Sequence, residues 1–325
     1  MAETTYLEAI KQGMQEEMRR DGSVYILGED VGVYGGAFKV TAGLLDEFGP
    51  MRVIDTPLSE SAIVGAAVGS ALMGQRPIAE MQFMDFIVCG FDQIVNMAAK
   101  LFYRNRMSVP IVIRGPSGGG VHGGPFHSQN PEAWFVHCPG LKVVAPGSAL
   151  DAYGLIKSAV RDDDPVLYFE HKFLYRRLKD ELPPDDFTVP IGKARLVQEG
   201  TDLTIYTYGW MVEQSVAAAE TLRQTDNVSV EIVDLRTLLP LDRETILKSI
   251  EKTSKALVVH EDTRTLGVGA EVAAILAEEA FDLLDGPILR VTAPDTPVPF
   301  SPPLEKAFLP DSDKIVAAAR RLAAY

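Results

Sequence analysis

Cysteine is scarce in this sequence: Cys89 and Cys138 are the only two in 325 residues. Two are too few for a disulfide framework. Both sit among apolar neighbours and are expected to be buried free thiols in a reducing compartment. Positive charge is short as well. Lys and Arg number 31 against 45 Asp and Glu, a net charge of −14. Such a surface repels phosphate backbones, so no nucleic-acid partner is expected. It suits a basic protein partner, and it keeps a protein soluble. Long hydrophobic runs are missing too. The apolar stretch from Ala62 to Met73 falls well short of the ~20 residues that a membrane span needs, so no membrane partner is expected. Met1–Tyr6 has neither a basic n-region nor an apolar h-region, so no signal peptide is expected. The expected location is cytoplasmic.

What is present is an ordinary globular balance, 46% hydrophobic and 23% charged, in a length that fits two domains. Val24–Leu27, Pro77–Met81, Val109–Arg114, Leu141–Ala145 and Pro165–Glu170 are short and apolar almost throughout, as strands covered on both faces should be. Helical stretches such as Phe91–Tyr103 and Ser148–Arg161 lie between them. This alternation predicts a parallel sheet flanked by helices. From Arg176 to Pro190 the chain turns charged, proline-rich and aperiodic, as a linker does. The alternation resumes with strands Leu203–Tyr208, Val228–Asp234, Ala256–His260 and Ile288–Thr292 and helices Val212–Arg223, Arg243–Lys252 and Gly269–Leu283. The expected architecture is α/β with two doubly wound domains, residues 1–180 and 192–325, joined by a linker at 181–191.

The glycine run Gly115–Gly124 imitates two known motifs. Gly118-x-Gly120-x-x-Gly123 matches a dinucleotide fingerprint, but Gly124-Pro125-Phe126-His127 starts no helix, and the next strand ends in Ala145-Pro146 rather than an acid for the ribose. Gly115-x-Ser117-x-Gly119 imitates a nucleophile elbow, again without its helix. A loop after a strand is left, either merely flexible or placed where α/β sheets bind ligands. His122, His127 and His137 lie in or near it. No carboxylate or cysteine spacing completes a metal site with them, so proton transfer or substrate binding suits them better. In Asp55-Thr-Pro-Leu-Ser-Glu60, Ser59 is a candidate N-cap, which puts Glu60 in the first turn of a helix. Glu60 then either complements the helix dipole or serves as a functional carboxyl with a raised pKa. The small residues of that helix, Ala62 to Gly74, predict burial against another element or subunit. Gln82 and Phe86 stand four apart after the second strand.

Together these segments resemble one family, the beta subunits of the 2-oxoacid dehydrogenases, which cover pyruvate, branched-chain and acetoin enzymes. The resemblance is carried by LGEDVG (Leu27–Gly32), DTPLSE (Asp55–Glu60), AEMQFMDF (Ala79–Phe86), FDQIVNMAAK (Phe91–Lys100), HSQNPEAWF (His127–Phe135), CPGLKVV (Cys138–Val144), GLIKSAVRDDDPV (Gly154–Val166) and VDLRTLLPLD (Val233–Asp242). It implies a transketolase-like domain that binds the pyrimidine of thiamine diphosphate, followed by a smaller transketolase C-terminal-like domain. Glu60 matches the glutamate that hydrogen-bonds a pyrimidine nitrogen and favours the imino tautomer that takes the thiazolium proton. Phe86 matches an aromatic position packed on the pyrimidine, and Leu58 and Gln82 match further neighbours. His127 matches a histidine implicated in acyl transfer to lipoyl groups. A structural potassium site maps onto Ile111, Ala159, Val160, Asp162 and Asp164; Asp162–Asp164 alone also fits a solvated acidic turn.

No Gly-Asp-Gly occurs, and that is the motif with which relatives holding the whole cofactor bind its diphosphate through a metal. The resemblance therefore implies an alpha subunit that supplies this half with magnesium, in an α2β2 heterotetramer. It also implies docking on a lipoyl acyltransferase core. The expected reaction is oxidative decarboxylation of a 2-oxoacid, pyruvate first, with branched-chain and acetoin substrates as alternatives. A non-catalytic scaffold subunit is the alternative of another class.

Overall fold

The computed structural model describes residues 3–184 and 186–325. The chain divides into two compact units, Met1–Ser117 with Trp134–Ile191, and Gly118–Ala133 with Gly192–Tyr325.

In the first unit β1 (Glu3–Thr5) leads into α1 (Tyr6–Arg20). Thr5 Oγ1 accepts from Glu8 N, and the Glu8 carboxylate accepts from Thr5 N, a reciprocal cap that satisfies two donors of the first turn. Then follow β2 (Val24–Gly28), α2 (Leu44–Phe48), β3 (Val53–Asp55), α3 (Glu60–Leu72), β4 (Arg76–Glu80), α4 (Ala99–Asn105), β5 (Val112–Ser117), α5 (Glu132–Val136), β6 (Lys142–Val144), α6 (Ala149–Arg161), β7 (Val166–His171) and β8 (Lys179–Glu181). Strands β6-β7-β5-β4-β2-β3 lie side by side in that order, all parallel. Helix α1 packs on α6 so closely that a Cβ on Gly13 would come within 2.4 Å of the Ile156 side chain. β1 pairs antiparallel with β8.

Three local expectations change. The Phe91–Tyr103 helix is a π-helical segment, Gln93–Ala98, running into α4. Helix α3 is buried on one face only: Ile63, Val64, Ala67, Val68 and Ala71 go inward, while Ala62, Ala66 and Gly69 are exposed. Its small residues therefore lie on both faces, Ala67 and Ala71 inward and Ala62, Ala66 and Gly69 outward. Cys138 is buried, but Cys89 is exposed, because the 3-10 turn Met84–Gly90 rotates it out of the apolar run around it.

The second unit continues with β9 (Arg195–Gln198), β10 (Leu203–Thr207), α7 (Met211–Thr225), β11 (Val230–Asp234), β12 (Thr237–Leu239), α8 (Arg243–Thr253), β13 (Ala256–Thr263), α9 (Val268–Glu279), β14 (Leu289–Ala293), α10 (Pro302–Phe308) and α11 (Ser312–Ala323). Its sheet runs β14-β13-β10-β11-β9, parallel except for the edge strand β9. Leu203, Ile205, Ile232, Leu257 and Val259 from the sheet pack with Ala218 and Leu222 of α7 and Ile315 and Leu322 of α11. Among the described residues no helix is long and apolar enough to cross a membrane.

Candidate active site

Glu60 is the first residue of α3, at the carboxyl edge of the parallel sheet in the first unit, where open α/β sheets bind ligands. Neighbouring loops are tied together there. Thr56 N donates to Gly28 O at 2.9 Å, and Gly32 N donates to Asp55 Oδ1 at 2.6 Å. Ser59 occupies the N-cap position, but its backbone (φ −165°, ψ 84°) gives no side-chain cap, so the expected capping bond is absent. That leaves the helix N-terminus to Glu60 and to whatever binds beside it. Leu58 is 77% exposed at the same edge.

Glu29 follows β2 and is a functional candidate that sequence reasoning missed. It is buried, its Oε1 has no partner, and its carboxyl is held above the usual range by burial first, then by Glu60 and Asp30. The negative charges of Glu60 and Asp30 are thus near enough to add to the effect of burial on Glu29. The signal was the acid directly after the apolar run Val24–Gly28, within the LGEDVG segment. Gln82 Nε2 donates to Asp30 Oδ2 at 3.3 Å. Phe86 sits on the Met84–Gly90 turn, edge-on to Phe83 at 6.2 Å, and Phe83 is edge-on to Phe38 at 5.4 Å. The 3-10 turn starts only at Met84, so Gln82 precedes it and the two residues do not share one helical turn. The turn rests on α3: a Cβ on Gly90 would stand 3.0 Å from Val64 Cγ2 and 3.4 Å from Glu60 O. Acidic side chains, an amide and an aromatic row at one sheet edge fit a flat, nitrogen-bearing ring that exchanges a proton.

Beneath this edge lies a buried ion network that the apolar reading of the strands overlooked. Arg114 pairs with Glu80 and with Glu170 (Nη2 to Oε2 2.7 Å), and Tyr175 Oη donates to Glu170 Oε2 at 2.6 Å. Burial raises the Glu80 carboxyl, and Arg114 opposes that rise.

The oxygens expected to hold potassium already have donors. Ile111 O accepts from Val166 N at 2.9 Å, and Ala159 O from Asp162 N at 3.3 Å. Val160 O and Asp162 O accept from Arg76 Nη1 at 3.0 and 2.9 Å. Lys142 Nζ stands 2.7 Å from both Asp162 carboxylate oxygens and 3.1 Å from Asp164. Two side-chain cations share this acidic group, while each backbone carbonyl that accepts one hydrogen bond keeps a second lone pair.

In the second unit the glycine loop is held by carboxylates from distant strands and helices. Gly119 N donates to Glu261 Oε1 at 2.5 Å, and Gly120 N to Glu305 Oε1 at 3.0 Å. His127 follows the 3-10 turn Gly124–Phe126, with its N–H on Gly124 O. Farther along, Glu132 is buried and its carboxyl is pushed up to about 8, by burial first and by Asp262 next. Asp262 is raised to about 7, chiefly by burial.

The fold and this edge define a transketolase-type thiamine enzyme component. The family model for the transketolase pyrimidine-binding domain matches residues 2–177, and that for the transketolase C-terminal domain matches residues 192–315. A solved split-gene transketolase, an inactive beta4 tetramer, superposes with a TM-score of 0.81 over 99% of both chains at 22% identity, which speaks to the fold alone. The 2-oxoisovalerate dehydrogenase subunit beta of Bacillus subtilis is 52% identical over 100% of both chains. The pyruvate dehydrogenase E1 component subunit beta of Staphylococcus aureus is 47% identical over 98% of both. The chain belongs to the 2-oxoacid dehydrogenase beta-subunit family, which depends on thiamine diphosphate.

Proposed function

We propose that this chain is the catalytic beta subunit of a 2-oxoacid dehydrogenase and completes its active site with an alpha subunit that holds the diphosphate and magnesium. The observation that carries this is Glu60 at a helix start without a side-chain cap, at the carboxyl edge of the parallel sheet inside the matched pyrimidine-binding domain. Thiamine diphosphate, when bound, supplies the nucleophilic carbon and the electron sink that decarboxylation of a 2-oxoacid needs. Glu60 then hydrogen-bonds a pyrimidine ring nitrogen and holds or moves a proton there. Phe86 and Leu58 cover the ring with apolar surface, and Gln82 contacts its polar edge. His127 serves acyl transfer to the lipoyl group.

An alpha partner is supported by apolar side chains that the first unit leaves open, such as Val33, Leu58, Met73 and Tyr103, each at least 77% exposed. The outward Ala62, Ala66 and Gly69 of α3 would let a partner backbone come close. The assembly is an α2β2 heterotetramer docked on the acyltransferase core through the C-terminal domain, residues 192–325, which follows the linker at 181–191, in the cytoplasm. Pyruvate is the first substrate reading, and the 52% identity to a 2-oxoisovalerate enzyme favours a branched-chain substrate as the second. Comparing kcat/KM for both acids in the enzyme assembled with its alpha subunit tests the assignment. Turnover of neither acid would overturn it. A potassium ion at Ile111, Ala159, Val160, Asp162 and Asp164 is a separate proposal that requires Lys142 or Arg76 to move. A rise in melting temperature with potassium but not sodium is its test.

A further inference from the structure

Gly118–Gly124 contains five glycines, and such a segment gives up more backbone entropy on ordering than any other kind. Something must hold it. Gly118 and Gly120 have φ +81° and +82°, and His122 has φ +60°, a strained backbone for a residue with a side chain. Alternating conformations of this kind turn successive N–H groups toward one side, which makes a nest for an anion. Here the chain's own carboxylates fill the nest. Glu261 accepts from Gly119 N. Glu305, 1% exposed on α10, accepts from Gly120 N at 3.0 Å and from His122 N at 3.2 and 3.3 Å.

Glu305 also makes a contact that loop ordering does not require. Its Oε2 stands 2.6 Å from His122 Nδ1, while the His122 side chain is 52% exposed. A carboxylate at Nδ1 fixes the proton there and leaves Nε2 as the lone-pair nitrogen, the usual way in which a second group sets a histidine's tautomer and aim. The turn to His127 is tight: a Cβ on Gly123 would stand 2.8 Å from His127 O and 3.0 Å from His127 Cβ. Whatever fixes His122 therefore bears on the placement of His127.

The geometry points to Glu305 as a positioning residue for acyl transfer: it fixes the glycine loop and holds His122 through Nδ1, in the same loop that leads to His127. This rests on the acyl-transfer role proposed for His127.

The test uses the enzyme assembled with its alpha subunit and acyltransferase. Decarboxylation is followed with an artificial electron acceptor and acyl transfer with the lipoyl domain. Glu305→Gln keeps the size but cannot accept from all these donors. Acyl transfer should fall on the order of 100-fold, the scale of a misplaced reacting group. Decarboxylation should change by less than about threefold, because the lost interaction belongs to the other half-reaction. The double variant His122→Ala/Glu305→Gln should lose less than the sum of the two single losses, since Glu305 acts in part through the His122 side chain. Equal losses in both half-reactions, or fully additive losses, would overturn the inference. If Glu305→Gln fails to assemble, His122→Ala decides alone, and acyl transfer at the wild-type rate would overturn it. His127→Ala separates the two levels. If it spares acyl transfer, the underlying reading fails; if it abolishes transfer while Glu305→Gln does not, only this inference fails.

Discussion

Glu132 shows what burial does to a single carboxyl. Its Oε1 accepts from Asn130 Nδ2 at 3.1 Å, its Oε2 has no partner, and its pKa lies near 8, raised by burial first and by Asp262 next. Between the ordinary value of 4.5 and about 8 the folded chain holds a proton that the unfolded chain has released. The folded state then binds more protons, so stability falls as pH rises through that window and levels off above it. Glu132→Gln keeps the shape and removes the titration. The variant should match wild type near pH 4.5 and exceed it by on the order of 1–3 kcal/mol above pH 8. Denaturant melts of both proteins across pH check this, and parallel curves would refute it. At the same scale the sequence was only partly legible. Glu60 could be singled out because it opens a helix in a motif. Glu29 could not, because its burial after the strand end is a property of the fold that the linear sequence does not state. Cys89 misled because apolar neighbours in sequence do not say which side of a turn a thiol faces.

At the scale of elements, the central strands were readable because both faces are covered and their sequences are nearly all apolar. β9 was not: it is a half-exposed edge strand with no apolar run. Helix α1 was passed over although Thr5 and Glu8 spell out its cap. The charges Glu80, Arg114 and Glu170 within β4, β5 and β7 were counted within apolar runs. Their pairing spans residues 80 to 170 and belongs to the register of the sheet, which a linear reading does not contain. Arg114 neutralises two buried carboxylates, so Arg114→Met should destabilise the fold by roughly 3–5 kcal/mol, the cost of leaving buried charge unpaired. Adding Glu80→Gln should recover part of that loss. Thermal melts of the single and double variants decide it, and a single variant as stable as wild type would show that the network contributes nothing.

At the scale of the whole molecule, the absent Gly-Asp-Gly and the open apolar surface of the first unit support the proposed division of the active site between two subunits. The purified chain, given thiamine diphosphate and magnesium, should show no decarboxylation, and adding the matching alpha subunit should restore it. Full turnover by the chain alone would refute the division of labour. The account centres on Glu60. If that residue only complements a helix dipole, Glu60→Gln costs about 0.3–1 kcal/mol of stability and little activity. If it moves the pyrimidine proton, the variant folds and assembles normally but loses that step. Hydrogen–deuterium exchange at the thiazolium carbon of thiamine diphosphate, measured in the assembled enzyme, reads the step directly. Exchange slowed by on the order of a hundredfold in Glu60→Gln is the predicted result, and exchange at the wild-type rate would contradict it.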